Sequence, residues 1–292
     1  MSKTYLLSNE LLEVTIQSHG AELVRMKDEK TGKDYIWKGD PVFWGRHSPI
    51  LFPLVGSLQN KQYTYQNKTY SMNQHGFARD MEFTCTSHTD DTIWFSLSDT
   101  EETRVVYPFT FTLEVGYHLS GRSLKVMWKV TNKGADDMHF SIGAHPAFVC
   151  PFLEGTRREE YFLRLKGNDT YTYRLITDKG LVKEERNRLN AKEGYIQLDE
   201  ELFSKDALIF EGNQTKEVSI LTPEKIPYVT IRFEAPLFGL WTPKGTHAPF
   251  LCIEPWYGRC DSESFHGSLE QREWGNALAP NEVFDVNYEI LV

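Results

Sequence analysis

The most restrictive feature of this chain is a two-residue alternation that runs from Phe109 to Val130. Phe109, Phe111, Leu113, Val115, Tyr117 and Leu119 fall on one face of an extended backbone. Thr110, Thr112, Glu114, Gly116, His118 and Ser120 fall on the other. Gly121–Arg122 then turns the chain into Leu124, Val126, Trp128 and Val130, which alternate with Lys125, Met127 and Lys129. A helix would scatter these apolar side chains around its surface, whereas a strand with one buried face collects them. Two such runs joined by so tight a turn predict an antiparallel pair.

The same period recurs along the chain. Leu12, Val14 and Ile16 share a face in Leu12–Gln17, as do Phe284, Val286, Tyr288 and Ile290 near the end. Ala207–Phe210, Val218–Leu221 and Val229–Phe233 read as further strands, and Lys61–Tyr70 reads as a hairpin turning at Gln66–Asn67. Pro49 and Pro53 bracket an apolar segment and rule out a central helix there, predicting an extended crossing. The charge-rich stretches Glu154–Glu160 and Asp178–Glu193 read as solvated loops or short helices. No amphipathic helix of any length competes with these strands, and no linker, repeat or low-complexity tract divides the chain. The expectation is one all-β sandwich domain over residues 1–292.

Composition limits the function classes. A hydrophobic fraction of 40% and a charged fraction of 25% fit a soluble globular protein. A net charge of −9 argues against nucleic acid as a partner. No run approaches the ~18 apolar residues of a membrane span, and no signal-peptide core precedes the first acidic residues. Cys85, Cys150, Cys252 and Cys260 form no disulfide pattern, and the Cys252/Cys260 spacing matches no zinc motif. A cytoplasmic location without membrane association is expected, and the oligomeric state is left open.

Three segments carry an ionisable residue among small and turn-forming neighbours at a strand end. They are NQHGFARD with His75, SIGAHPAF with His145, and THAPFLCIEPWYGR with Glu254. In the last two a proline follows the titratable residue and holds it extended. Read alone, Glu254 fits a strand-end salt bridge as well as a site beside the aromatics Trp256 and Tyr257. Each histidine alone fits a hydrogen-bonded structural role. Together, two histidines and a carboxylate without a nucleophile motif point to acid–base chemistry. A metal site is the competing use of such a set, although neither H-E-x-x-H nor H-x-H spacing is present. No G-x-S-x-G, P-loop or dinucleotide fingerprint appears either.

In this order and at these separations, NQHGFAR, GAHPAF and CIEPWYG resemble the aldose 1-epimerases (mutarotases), and more closely their LacX-like branch. The resemblance extends over essentially the whole chain, including GRHSPILFPLVG and LFGLWTPKG. It implies a large antiparallel β-supersandwich with an open sugar site, no cofactor and no metal. It also implies roles: Glu254 as general base on the anomeric hydroxyl, His145 as general acid on the ring oxygen, and His75 as a hydrogen-bond donor to the ring. Arg46, in WGRHSP, resembles the family's substrate-binding arginine. Asp206, in LFSKDALIF, stands where the family has an acid that binds sugar hydroxyls. Its surroundings differ from the usual D-H-N pattern, so the sugar is left open. Trp256 is a candidate apolar wall, with Tyr257 beside it. Arg46 and Arg79 would suit a phosphate, which makes a hexose-6-phosphate 1-epimerase the alternative enzyme. A non-catalytic carbohydrate-binding protein on the same fold is the alternative of another class.

Overall fold

The computed structural model describes residues 2–292. The strands Phe111–Ser120 and Ser123–Asn132 pair in antiparallel register around Gly121–Arg122, as the alternation requires. They lie inside a nine-stranded sheet that also takes in Val283–Leu291, Pro227–Phe233 and Thr92–Ser98. A second sheet of eight strands contains Leu208–Glu211, Leu237–Trp241, Phe250–Tyr257, Ile142–Ala144 and Ala147–Val149. All paired strands in both sheets run antiparallel. Among the described residues the one α-helix is Glu101–Val106, capped by Thr100. No helix among them is long and apolar enough to cross a membrane.

The two large sheets share one apolar core. Val115, Val126, Trp128 and Ile290 enter it from the first, and Phe210, Leu240, Leu251 and Ile253 from the second. Side chains on a strand alternate between faces, so Leu251 and Ile253 commit the neighbouring positions of Phe250–Tyr257 to the opposite side. Phe250 and Cys252 pack there against Trp37 and Ala147, and Trp256 packs against Val55 and Leu237. Glu254 lies on the same face. That outer face of the second sheet, away from the sandwich core, forms the floor of the large cavity.

Two sequence expectations need correction. Asp178–Glu193 is not only loop: Asn187–Asn190 is a strand at the edge of the second sheet, paired with Thr170–Arg174. An edge strand tolerates charge because one side faces water, and this concealed it among charged neighbours. Glu154–Glu160 ends in a short 3-10 turn, Arg158–Glu160, yet Arg158 is buried, its guanidinium donating to Thr242 Oγ1 and the Ala248 carbonyl. The hairpin at Lys61–Tyr70 forms as read, with Gln66 and Asn67 both in the left-handed region.

Two glycines make the floor possible. Gly143 pairs with Trp256 across one side of its strand, and Gly239 sits on the other side opposite Glu254. A Cβ on Gly143 would lie 2.5 Å from the Trp256 ring, and one on Gly239 would lie 2.7 Å from it. The indole therefore lies across both glycines. Gly239→Ala should force the ring to move at a cost of about 1–3 kcal/mol, measurable as a lowered denaturation midpoint with an unchanged m-value.

Candidate active site

His145 and Glu254 meet across a gap in a strand ladder. Phe250–Tyr257 pairs with Ala147–Val149 near its start and with Ile142–Ala144 near its end. The register is the same on both sides of the gap, which sets His145 opposite Glu254. Pro146 and Pro255 fall within this break, and neither has an N–H to give to a ladder. The Pro146 carbonyl still accepts from Ile253 N, at 3.3 Å. The His145 amide turns away to the Pro49 carbonyl at 3.1 Å, from the Pro-bracketed crossing.

His145 Nε2 lies 3.3 Å from Glu254 Oε2, and both side chains are nine-tenths or more buried. The alignment is not that of a hydrogen bond, so Glu254 Oε2 and His145 Nδ1 are buried without protein partners. Trp44 stacks on the His145 ring at 4.8 Å and Trp241 meets it edge-on at 5.3 Å. Burial of this kind disfavours either charge. Burial pushes Glu254 well above the usual carboxylate range, with the Trp256 indole partly offsetting it and Asp206 adding to it. Burial also drives His145 down to about 3, an effect reinforced by the cations Arg79 and Arg46. Despite their closeness, burial therefore favours the neutral pair, carboxylic acid with imidazole, over an ion pair.

His75 stands at right angles to His145, with ring centroids 5.8 Å apart. Its backbone is in the left-handed region, at φ 68°, an uncommon place for a side chain this large. The Gly56 amide donates to His75 Nδ1 at 3.1 Å, and the His75 amide donates back to the Gly56 carbonyl. Burial first, then His145 and the two arginines, hold the ring neutral. With Nδ1 accepting, the ring proton sits on Nε2 and makes that atom a donor.

These groups open onto a cavity of about 970 Å³, lined also by Asp206, Arg79, Trp241 and Trp256. Asp206 Oδ1 accepts from Trp241 Nε1 at 3.0 Å and from the Ala207 amide at 2.8 Å. This leaves Oδ2 directed by a doubly anchored carboxylate. Arg79 donates to the Gln74 carbonyl at 2.8 Å, while its buried Nε has no hydrogen bond and lies 3.8 Å from Asp80 Oδ2. Burial lowers its guanidinium to about 10. Arg46 is not among the lining residues. It bonds Asp80, at 2.8 Å, and Asp80 does line the cavity. Trp256 lines the floor, but Tyr257, one position on, packs against Phe284 on the core side.

Sequence reasoning missed Trp44 and Trp241, which enclose the His145 ring. Their segments stood out only as aromatic-rich or apolar, and neither has the periodicity that reveals a face. It also missed Lys61, Lys179, Lys205 and Lys244 around the cavity, since exposed lysines carry no local signal.

The antiparallel β-sandwich fold is shared with galactose mutarotase-like proteins of known structure. The aldose 1-epimerase family profile matches residues 3–290. Protein LacX of Lactococcus lactis subsp. lactis is 30% identical over 98% of both chains. The galactose mutarotase related enzyme of Lactobacillus acidophilus superposes with a TM-score of 0.93 at 36% identity, covering 99% of this chain and 97% of that one. A galactose mutarotase-like protein of Lactobacillus casei ATCC 334 gives a TM-score of 0.92 at 27% identity, over 99% of each. The chain belongs to the aldose 1-epimerase family.

The burial of Glu254 has a stability consequence. A carboxyl whose folded pKa is raised makes the folded state hold a proton that the unfolded state has released, so stability falls as pH rises above about 4.5. Glu254→Gln should therefore raise Tm, and its advantage over wild type should widen from about pH 5 to pH 7, by at most about 1.4 kcal/mol per pH unit. Thermal melts across that range check the sign.

Proposed function

We propose that the protein interconverts the α and β anomers of an aldose by acid–base ring opening and reclosure. The observation that carries this reading is the 3.3 Å approach of the buried His145 and Glu254 side chains at the cavity floor. Glu254, as carboxylate, takes the proton of the anomeric hydroxyl. His145, as imidazolium, gives one to the ring oxygen as the C1–O5 bond breaks. His75 donates through Nε2 to the ring, and Asp206 and Trp256 hold hydroxyls and the apolar face. Rotation about C1–C2 and closure with reversed proton transfers deliver the other anomer.

The proton count supports this sequence of events. Carboxylate with imidazolium, and carboxylic acid with imidazole, contain the same number of protons. Ring opening consumes the first form and leaves the second, which is the one burial favours. The charged form is therefore the minority form that starts the reaction, reached from the neutral one by moving a proton between the two groups, and ring opening restores the neutral form. Each positioned acid or base contributes on the order of 10²–10⁴-fold, and orientation of the bound ring adds to this.

A second reading concerns the substrate. Lys61, Lys179, Lys205 and Lys244 line the cavity, and none has a carboxylate within ion-pair distance among the described residues. In a chain of net charge −9, these unpaired lysines favour a phosphorylated aldose, although Asp80, Asp178 and Asp206 line the cavity as well. The volume is at the upper end for a small-molecule site, with room for such a substituent.

Exchange NMR on glucose, galactose and their 6-phosphates tests both readings. Exchange above the buffer rate is expected for at least one sugar, and saturable binding without exchange would favour a carbohydrate-binding protein instead. Glu254→Gln and His145→Asn should each lower kcat by about 10²-fold or more while circular dichroism stays unchanged. Activity should remain flat through about pH 6.5, where an unperturbed histidine titrates, because the singly protonated pair persists between the lowered His145 and raised Glu254 values. If the rim binds phosphate, Lys205→Ala with Lys244→Ala raises KM for the 6-phosphate alone, and added salt mimics the effect.

A further inference from the structure

One group on the catalytic floor has no part in the proposed proton transfers. Cys252 precedes Glu254 by two positions on the same strand face, fully buried as a free thiol. His145, Cys252 and Glu254 can each offer one ligand atom, and the three atoms lie within 4.8 Å of one another. Glu254 Oε2, the oxygen that faces His145 Nε2, is buried with no hydrogen-bond partner, so the cluster contains an unsatisfied buried ligand atom. We propose that His145, Cys252 and Glu254 form a binding site for a borderline-soft divalent cation such as zinc, and that the bound cation switches the acid–base pair off.

The geometry fits such an ion. Zinc bonds to imidazole nitrogen and carboxylate oxygen at about 2.0–2.2 Å, so a tetrahedral angle sets the two ligand atoms about 3.3–3.5 Å apart. His145 Nε2 and Glu254 Oε2 are 3.3 Å apart without the alignment of a hydrogen bond, a spacing suited to a shared metal. Cysteine, histidine and a carboxylate together suit zinc or cobalt and not magnesium or calcium, which prefer oxygen alone. Three protein ligands leave a fourth position, and Glu254 and His145 line the cavity through which an ion would enter. Coordination would occupy the lone pairs that the pair needs to accept and deliver protons. The binding claim stands on this geometry; only the loss of turnover rests on the proposed epimerase reading.

A second cluster, Glu159, Glu200 and His247, is largely exposed and could bind metal nonspecifically, so the test uses the full chain carrying His247→Gln. After chelator treatment, Co²⁺ titration should produce a thiolate-to-cobalt charge-transfer absorption that Zn²⁺ displaces. Cys252→Ala, and Cys252→Ser as a variant of nearly native size, should abolish that band. Losing an outer-shell partner alone costs about 10–100-fold in metal affinity, so losing this ligand should weaken Zn²⁺ binding by at least about 100-fold. In the exchange assay Zn²⁺ should suppress turnover, EDTA should restore it, and Cys252→Ala should keep the basal rate while needing at least about 100-fold more Zn²⁺. Absence of binding, cobalt binding without the thiolate band, or equal Zn²⁺ affinity in the cysteine variants would overturn the site. Full turnover with Zn²⁺ bound would overturn the switch. A chain with no turnover on any sugar would refute the epimerase reading while leaving the cobalt result to decide the site.

Discussion

The candidate site depends on a break in the ladder of the second sheet. Between two short strands that share one register, Pro146 and Pro255 each lack an amide N–H, and the Ile253 amide bridges the break to the Pro146 carbonyl. A continuous ladder would have aligned His145 and Glu254 equally well, but with less freedom for the His145 backbone to turn toward Pro49. The same prolines that interrupt pairing fix the preceding residues as extended. Position is thus set by the sheet, and local departure from it by the imino acids. The other features follow from that meeting: tryptophans that enclose the His145 ring, His75 locked by Gly56, and Asp206 steadied by Trp241.

Burial works in two directions at this pair. It opposes charge on either partner, so the fold favours the protonated form of a carboxyl that the proposed reaction uses ionised. A glutamate in such surroundings destabilises the fold when ionised, and the fold tolerates it because a large apolar core lies directly beneath. Leu251 and Ile253 hold the strand on one face while Cys252, Glu254 and Trp256 occupy the other. One strand therefore anchors the core and carries the candidate site, with alternate residues assigned to each face.

Much of this was legible in the sequence. Alternation revealed the strands wherever one face is apolar and the other polar, as in Phe111–Ser120 and Val283–Leu291. It failed at Asn187–Asn190, where an edge strand is half-exposed and polar. The His–Pro and Glu–Pro pairs announced two fixed titratable groups, but their contact depends on a register between residues far apart in sequence. Parity on the strand separates Trp256 from Tyr257 once Leu251 and Ile253 are assigned to the core. Arg46 shows the limit of motif reasoning: its segment resembles a substrate-binding stretch, while its guanidinium is engaged with Asp80 at the cavity's edge. Trp44 and Trp241 come from segments whose apolar content has no period, so only the folded chain brings them to His145.

The indole of Trp256 lies over Gly143 and Gly239, which are supplied by strands on either side of it. This makes the floor a three-residue unit contributed by three separate stretches of chain. A larger side chain at either glycine needs a smaller one at Trp256, and a smaller one at Trp256 leaves a void that neither glycine can fill alone. Divergence of such a floor requires coordinated changes, whereas the exposed lysines around the rim can change singly. Within this architecture, new substrate preferences are therefore most accessible through the rim, with the chemistry beneath inherited unchanged.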